Sequence, residues 1–244
     1  MRKLEKTYLR AFFNIMFVSN LILTGCSEIS NDYNSLESKN EIANIQQMNQ
    51  ISMDQYTPRL ENTAIVQLDI NGSPVVIEVN GQDAPITAGN FIDLVERGFY
   101  NGLVFHRVIK DPTPFVAQGG DPDGTGMGGF IDSKTKQRRY IPLEIKLEND
   151  EKPVYNQSLG IQGSVSPKSV VLKHKRGAIA MARSAMPNSA SSQFYIALSD
   201  LDFLNGDYAV FGKVIEGMKI VDNIDEGDRI NSAYVTSGLE NFKK

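Results

Sequence analysis

The chain has 244 residues, 41% of them hydrophobic, which suffices for one domain of ordinary size with extra segments attached. Its formal net charge is −4 and it carries no Lys/Arg stripe interleaved with aromatics, so nucleic acid is not expected as a partner. Two histidines and one cysteine leave too few ligands for a zinc site and no intrachain disulfide; neither a metal nor another cofactor is expected.

The first residues are basic, with Arg2, Lys3, Lys6 and Arg10, and an apolar stretch from Ala11 to Leu23 follows, interrupted by Asn14, Ser19 and Asn20. That stretch is too short and too polar for a comfortable transmembrane helix and reads as a targeting segment. It ends in Leu23-Thr24-Gly25-Cys26, which resembles the lipobox of bacterial lipoprotein signal peptides. The resemblance implies a signal peptide over residues 1–25 and a lipid on Cys26. It also implies a membrane-anchored protein on the periplasmic or extracytoplasmic side of a bacterial cell envelope. Ser27 rather than Asp in the second mature position resembles lipoproteins sent to an outer membrane.

After Cys26 come polar residues rich in Asn, Ser, Gln and Glu with no sustained apolar period, so residues 26–61 are expected to act as a flexible tether. The folded domain is expected over residues 62–244. From Ala64 to Ile70, Val66, Leu68 and Ile70 alternate with Gln67 and Asp69, the period of a half-buried strand. Asn71-Gly72 supplies a turn and Val75 to Val79 returns, which predicts a hairpin. Pro85 suits the first position of a helix, Ala88, Phe91, Leu94 and Val95 give it an apolar face, and Gly98 suits the left-handed position past its end. A second helix is predicted from Glu216 to Ile224. "GAIAMA", "SQFYIAL", "YAVFGKV" and "AYVTSG" read as short strands between turns. Many strands and two helices without regular alternation predict an antiparallel sheet or barrel.

Several motifs offer chemistry that their context does not support. Gly124 to Gly129 matches G-x-G-x-x-G, but the polar, basic "FIDSKTKQRRY" follows instead of an amphipathic helix, which argues against a dinucleotide site. Asp121, Asp123, Gly126 and Asp132 fall on calcium-loop positions 1, 3, 6 and 12, yet Thr125 is a weak ligand, the final Glu is missing and no helices flank the loop. There is no G-x-S-x-G elbow. His106 and His174 have no nucleophile beside them and are expected to be hydrogen-bonded structural residues.

Three separated blocks carry a more specific signal: "FHRVI" followed by "FVAQGGD", then "MARSAMPNSASSQFYI", then "FLNGDYAVFGKVIEGMKIVDNI". In this order they resemble the cyclophilin family of peptidyl-prolyl cis/trans isomerases, over about residues 63 to 240. The resemblance implies a mainly β fold, a closed eight-stranded antiparallel β-barrel capped by two α-helices. Position by position, it implies that Arg107 is the catalytic arginine, Gln118 its support and Phe115 the aromatic floor of a proline pocket. Val116 stands where Met is usual. Ala182 and Arg183 match the backbone segment that pairs with substrate, although eukaryotic members often have Asn in place of Arg183. Gln193, Tyr195, Leu204 and Tyr208 match the remaining wall, and Phe203 stands where many members have Trp. With no Trp in the chain, weak or no cyclosporin binding is expected. The implied partners are proline-containing segments of exported proteins, bound by a monomer that needs no cofactor; the alternative is a non-catalytic chaperone or binding module for such segments.

Two departures stand out. Phe115 lies eight residues after Arg107, further than is usual, so Lys110 to Pro114 reads as an insertion beside the pocket floor. Asn149 to Lys168 reads as a surface extension with some strand character. Either is expected to narrow or extend the substrate groove.

Overall fold

The computed structural model describes residues 58–160 and 170–244. The targeting segment, Cys26 and nearly all of the tether lie outside the described residues, as does the last part of the predicted extension. Among the described residues no helix is long and apolar enough to cross a membrane.

The main sheet has eight antiparallel strands. They are β2 (Thr63–Ile70), β3 (Ser73–Asn80), β4 (Phe105–Ile109), β5 (Val116–Gly119), β8 (Ala178–Met181), β9 (Phe194–Ala197), β10 (Val210–Glu216) and β11 (Ile230–Ser237), in the order β11-β2-β3-β10-β8-β9-β5-β4. The outer strands meet at one end: Val104 bridges Arg229, Phe105 N–H donates to the Asp228 carbonyl at 2.8 Å and Ile230 N–H to the Leu103 carbonyl at 2.9 Å. The sheet therefore curls into the eight-stranded barrel the resemblance implies, joined across β4 and β11 near their starts. The first hairpin is as predicted. Asn71 and Gly72 both have positive φ, 51° and 82°, the conformation that matches the twist of two flanking strands.

Helix α1 (Pro85–Glu96) packs with the barrel core, where the Phe91 ring lies 5.0 Å from Phe211, 5.2 Å from Tyr100 and 5.5 Å from Phe194. Its N-terminus poses a problem that the local sequence does not solve. Ala84 at the cap offers no side-chain acceptor and Pro85 has no N–H, which leaves the Ile86 and Thr87 N–H groups unsatisfied in a buried place. The buried Glu144 carboxylate, nearly sixty residues on, accepts both at 3.2 and 2.8 Å, and the Thr87 hydroxyl at 2.7 Å. Burial raises the Glu144 pKa, and the Thr87 and Ile86 donors oppose that pull; an acceptor there also suits the positive end of the helix dipole. Glu144 is fixed by a small second sheet of β6 (Glu144–Ile145) and β7 (Val154–Tyr155), so the predicted extension does carry a strand.

Three boundaries differ from expectation. A strand β1 (Arg59–Leu60) pairs with β12 (Phe242–Lys243), so the ordered domain reaches back before residue 62. Leu60 is fully buried and β1 crosses α1 at Gly89, where any Cβ would collide with the Arg59 backbone. Helix α2 spans only Met218–Asp222, shorter than the predicted Glu216 to Ile224, because Gly217 in the left-handed conformation (φ 86°) starts it and Asn223 caps its end. β11 begins at Ile230, before the "AYVTSG" segment.

Candidate functional site

The site follows from strand alternation. On β5, β8 and β9, Ala117, Ile179, Met181, Phe194 and Ile196 point into the barrel core. Their neighbours Val116, Ala178, Ala180, Tyr195 and Ala197 form a second apolar cluster on the opposite, outer face, with Leu201, Leu204 and Val210. Phe115, Ala182 and Tyr208 pack on its edge. In register across this face, Arg107 lies opposite Gln118, Gln118 opposite Tyr195, and Tyr195 opposite Ala180.

A polar chain runs beside that apolar patch. Arg107 Nη1 donates to Gln118 Oε1 at 3.2 Å, Gln118 Nε2 donates to Gln193 Oε1 at 3.0 Å, and Gln193 Nε2 donates to the carbonyls of Gly126 and Gly128 at 3.0 and 2.8 Å. Each amide in the chain is thereby oriented, with its oxygen toward the arginine side and its nitrogen toward the next acceptor. The Arg107 guanidinium carbon lies 5.9 Å from the Phe115 ring centroid. Burial lowers its pKa from the ordinary value, with Tyr208 and Glu226 opposing that pull. A guanidinium nevertheless stays charged at neutral pH.

The Lys110 to Pro114 insertion does not displace Phe115. Phe115 N–H donates to the Ile109 carbonyl at 2.9 Å, and Ile109 pairs with Val116, so the extra residues leave the sheet as an exposed hairpin tip. Ser199 Oγ holds that tip through the Pro114 carbonyl at 2.6 Å, and the Phe115 ring stacks on Phe203 with 6.1 Å between centroids and 11° between planes.

The wall is tied together by a residue that sequence reasoning treated only as structural. Fully buried His174 lies between Tyr195 and Asn205: its Nε2 is 2.9 Å from the Tyr195 hydroxyl and its Nδ1 is 3.0 Å from Asn205 Oδ1. An amide oxygen only accepts, so Nδ1 carries the proton and Nε2 accepts from the tyrosine. Burial pulls the imidazole pKa down to about 4, so the ring is neutral at pH 7. Tyr195, where Phe is usual, thus has a defined partner, and the loop carrying Leu204 is pinned to β9. The Tyr208 ring meets Tyr195 edge-on at 6.0 Å. Ala182 N–H is already donated to the Gln193 carbonyl at 2.9 Å, so that group is committed within the fold.

His106 departs from expectation: both ring nitrogens are buried, and among the described residues neither has a well-formed hydrogen bond, Gln193 being the one side chain that acts on the ring as a hydrogen-bonding group. Burial pushes its pKa down, and the Asp121 charge opposes this. The Asp121 loop is organised around its own carboxylate. The Asp121 carboxylate is buried and accepts backbone N–H groups of Asp123, Thr125, Gly126 and Gly128. Those donors outweigh burial and hold its carboxyl below the ordinary value. Its lone pairs are spent on shaping the loop whose carbonyls receive Gln193. Gly128 is required there, since a Cβ would collide with that carboxylate. Among the described residues no group of three or more His, Cys, Asp or Glu side chains is placed to hold a metal.

The family model described as cyclophilin type peptidyl-prolyl cis-trans isomerase/CLD matches residues 65–238. The chain belongs to the cyclophilin family. A protein of Synechocystis sp. named as a thylakoid lumen peptidyl-prolyl cis-trans isomerase is 42% identical over 76% of this cyclophilin and 50% of its own length. A peptidyl-prolyl cis-trans isomerase of Helicobacter pylori is 37% identical over 74% of this chain and 91% of its own. A Cryptosporidium parvum cyclophilin, solved in the presence of the dipeptide Ala-Pro, superposes with a TM-score of 0.52 and 30% identity, covering 71% of this chain and 99% of that one. The chain therefore spans about half of the Synechocystis relative and nearly all of the other two.

Proposed function

We propose that this cyclophilin accelerates cis/trans isomerisation of X-Pro bonds in exported proteins, from a lipid anchor on Cys26. The observation that carries the reading is Arg107, oriented by Gln118 at 3.2 Å and set beside an apolar surface on the outer face of the barrel. Rotation about an X-Pro bond is slow because amide resonance must be broken, at a cost of roughly 18–20 kcal/mol. No covalent bond changes, so no nucleophile is needed. As the bond twists, the prolyl nitrogen regains a lone pair, and a fixed cationic N–H donor stabilises that state more than the planar one.

In this reading Arg107 supplies the donor, Gln118 holds it and Phe115 forms the floor under the proline ring. Val116, Tyr195, Leu204 and Phe203 wall the pocket and exclude water. Gln193, Ala182, Arg183 and Tyr208 border the groove in which the peptide chain lies. Phe203 in place of an indole supports weak or no cyclosporin binding, and the cyclophilin is proposed to act as a monomer. The basic start, the apolar run and the Leu-Thr-Gly-Cys ending support lipidation and an extracytoplasmic place. The thylakoid-lumen relative agrees with the latter.

The test is a proline-isomerisation assay on the purified chain and its Arg107→Ala variant. Acceleration in the first that is lost in the second is expected; equal rates would leave a binding module. Mass spectrometry of the mature protein checks the anchor: an unmodified Cys26 would remove it.

A further inference from the structure

Arg183 borders the groove with a charge that the fold leaves without a carboxylate. Its Nε donates to the Asp207 carbonyl at 2.8 Å, and its Nη1 to the carbonyls of Ser184 and Ala185 at 2.9 and 3.3 Å. Its guanidinium carbon stands 4.7 Å from the Tyr208 ring centroid. All four partners are neutral. They fix the position of the group without pairing its charge. Among the described residues no carboxylate forms an ion pair with it.

The carboxylate best placed to compete belongs to Asp207, whose carbonyl Arg183 already holds. That carboxylate accepts the Ser158 hydroxyl and packs on Gly160, where any Cβ would collide with it. Leu159 N–H donates to the Gly206 carbonyl at 2.8 Å, which fixes residues 158–160 against the Gly206–Asp207 loop. The described part of the Asn149 to Lys168 extension thus holds this carboxylate in place and out of an ion pair with Arg183. Two more acids near this edge, Asp200 and Asp202, are both paired with Lys175 at 3.0 Å. At the Tyr208 hydroxyl the positive charges of Arg183 and Arg107 and the negative charge of Asp207 are all felt.

We infer that Arg183 is a specificity-determining residue that favours substrates with an Asp or Glu side chain next to the X-Pro bond. A rigidly held cation with neutral partners attracts a carboxylate without first breaking an ion pair, and a guanidinium offers it a charge-assisted hydrogen bond. The inference rests on the isomerase reading for its site but not for its test.

The test uses matched short peptides with Glu, Gln or Lys at the residue before the proline or at either flanking position, in the full chain and in Arg183→Gln. Both kcat/KM for isomerisation and peptide affinity by fluorescence anisotropy are read at low salt. The expected result is a preference for Glu over Gln of about three- to five-fold at one position, with Lys below Gln. The Glu/Gln ratio is expected to fall to about one in Arg183→Gln and with added salt, and to survive in part in Arg183→Lys. Should Arg183→Gln fold poorly, Ser158→Ala gives an independent arm: releasing the Asp207 carboxylate should lower the ratio. Equal handling of Glu and Gln at every position, or an unchanged ratio in Arg183→Gln, would overturn the inference. Glu-selective binding without turnover of any peptide would keep it and overturn the isomerase reading instead.

Discussion

The two faces of β5, β8 and β9 are built from alternate residues of the same strands and carry different loads. Inward, Phe194, Ile196, Ile179 and Met181 meet the main apolar core. Outward, Tyr195, Ala180 and Val116 leave a shallow apolar patch edged by Arg107, Gln118 and Gln193, where each polar group has a designated partner. One-residue alternation therefore separates stability from chemistry, because a substitution on either face leaves the other packed.

The sharpest way to break that separation is to truncate Phe194. The ring is fully buried and edge-on to Phe91 and Tyr100, so Phe194→Ala should cost about 3–5 kcal/mol in urea unfolding. A loss below about 1 kcal/mol would mean that the inner face is not the stabilising one. Next comes Arg107→Ala on the outer face, expected to lower kcat/KM for X-Pro isomerisation by about 10²–10³-fold, as removal of one preorganised donor does elsewhere. Its unfolding midpoint should move little; a comparable loss of stability would show that the faces are coupled.

His174 tests the link between the faces by pH. Its pKa is about 4 in the folded protein, against roughly 6.5 in an unfolded chain. As pH falls, the unfolded state takes up the proton first, so the contribution is fully present above about pH 6.5 and is lost down to about pH 4, some 3 kcal/mol in all. Urea midpoints at pH 7 and pH 4.5 should diverge more in the wild type than in His174→Gln; equal divergence would remove this role. The smallest effect is expected of Tyr195→Phe, which takes one hydrogen bond from His174 and should cost about 1–2 kcal/mol. Isomerisation should fall only modestly, since the apolar wall remains. A loss as large as that in Arg107→Ala would give the hydroxyl a part in the chemistry.

What the sequence made legible was what depends on neighbours in the chain. The Asn71-Gly72 hairpin and the entry of α1 at Pro85 follow from local preferences, and the structure agrees. The Arg107 to Gln118 pairing came from the resemblance and is a cross-strand contact between adjacent strands. Contacts across long separations were not legible: Glu144 under α1, β1 against β12, and His174 between Tyr195 and Asn205. A lone buried Glu or His reads as an anomaly until the group that it satisfies is known. The glycine run after Asp121 lacks the context of a ligand-binding motif, but its actual part was not legible: Gly128 makes room for the Asp121 carboxylate.

The Glu144 cap has a consequence for the order of events as the polypeptide is synthesised. Helix α1 appears with its first N–H groups bare, and their acceptor follows only after another 57 residues have appeared. β1 waits longer still, for a strand at residues 242–243. Until residue 144 has appeared α1 lacks its acceptor, and until residue 242 the first strand lacks its mate. In vectorial synthesis the fold can therefore close in two stages, the later of which joins its two ends.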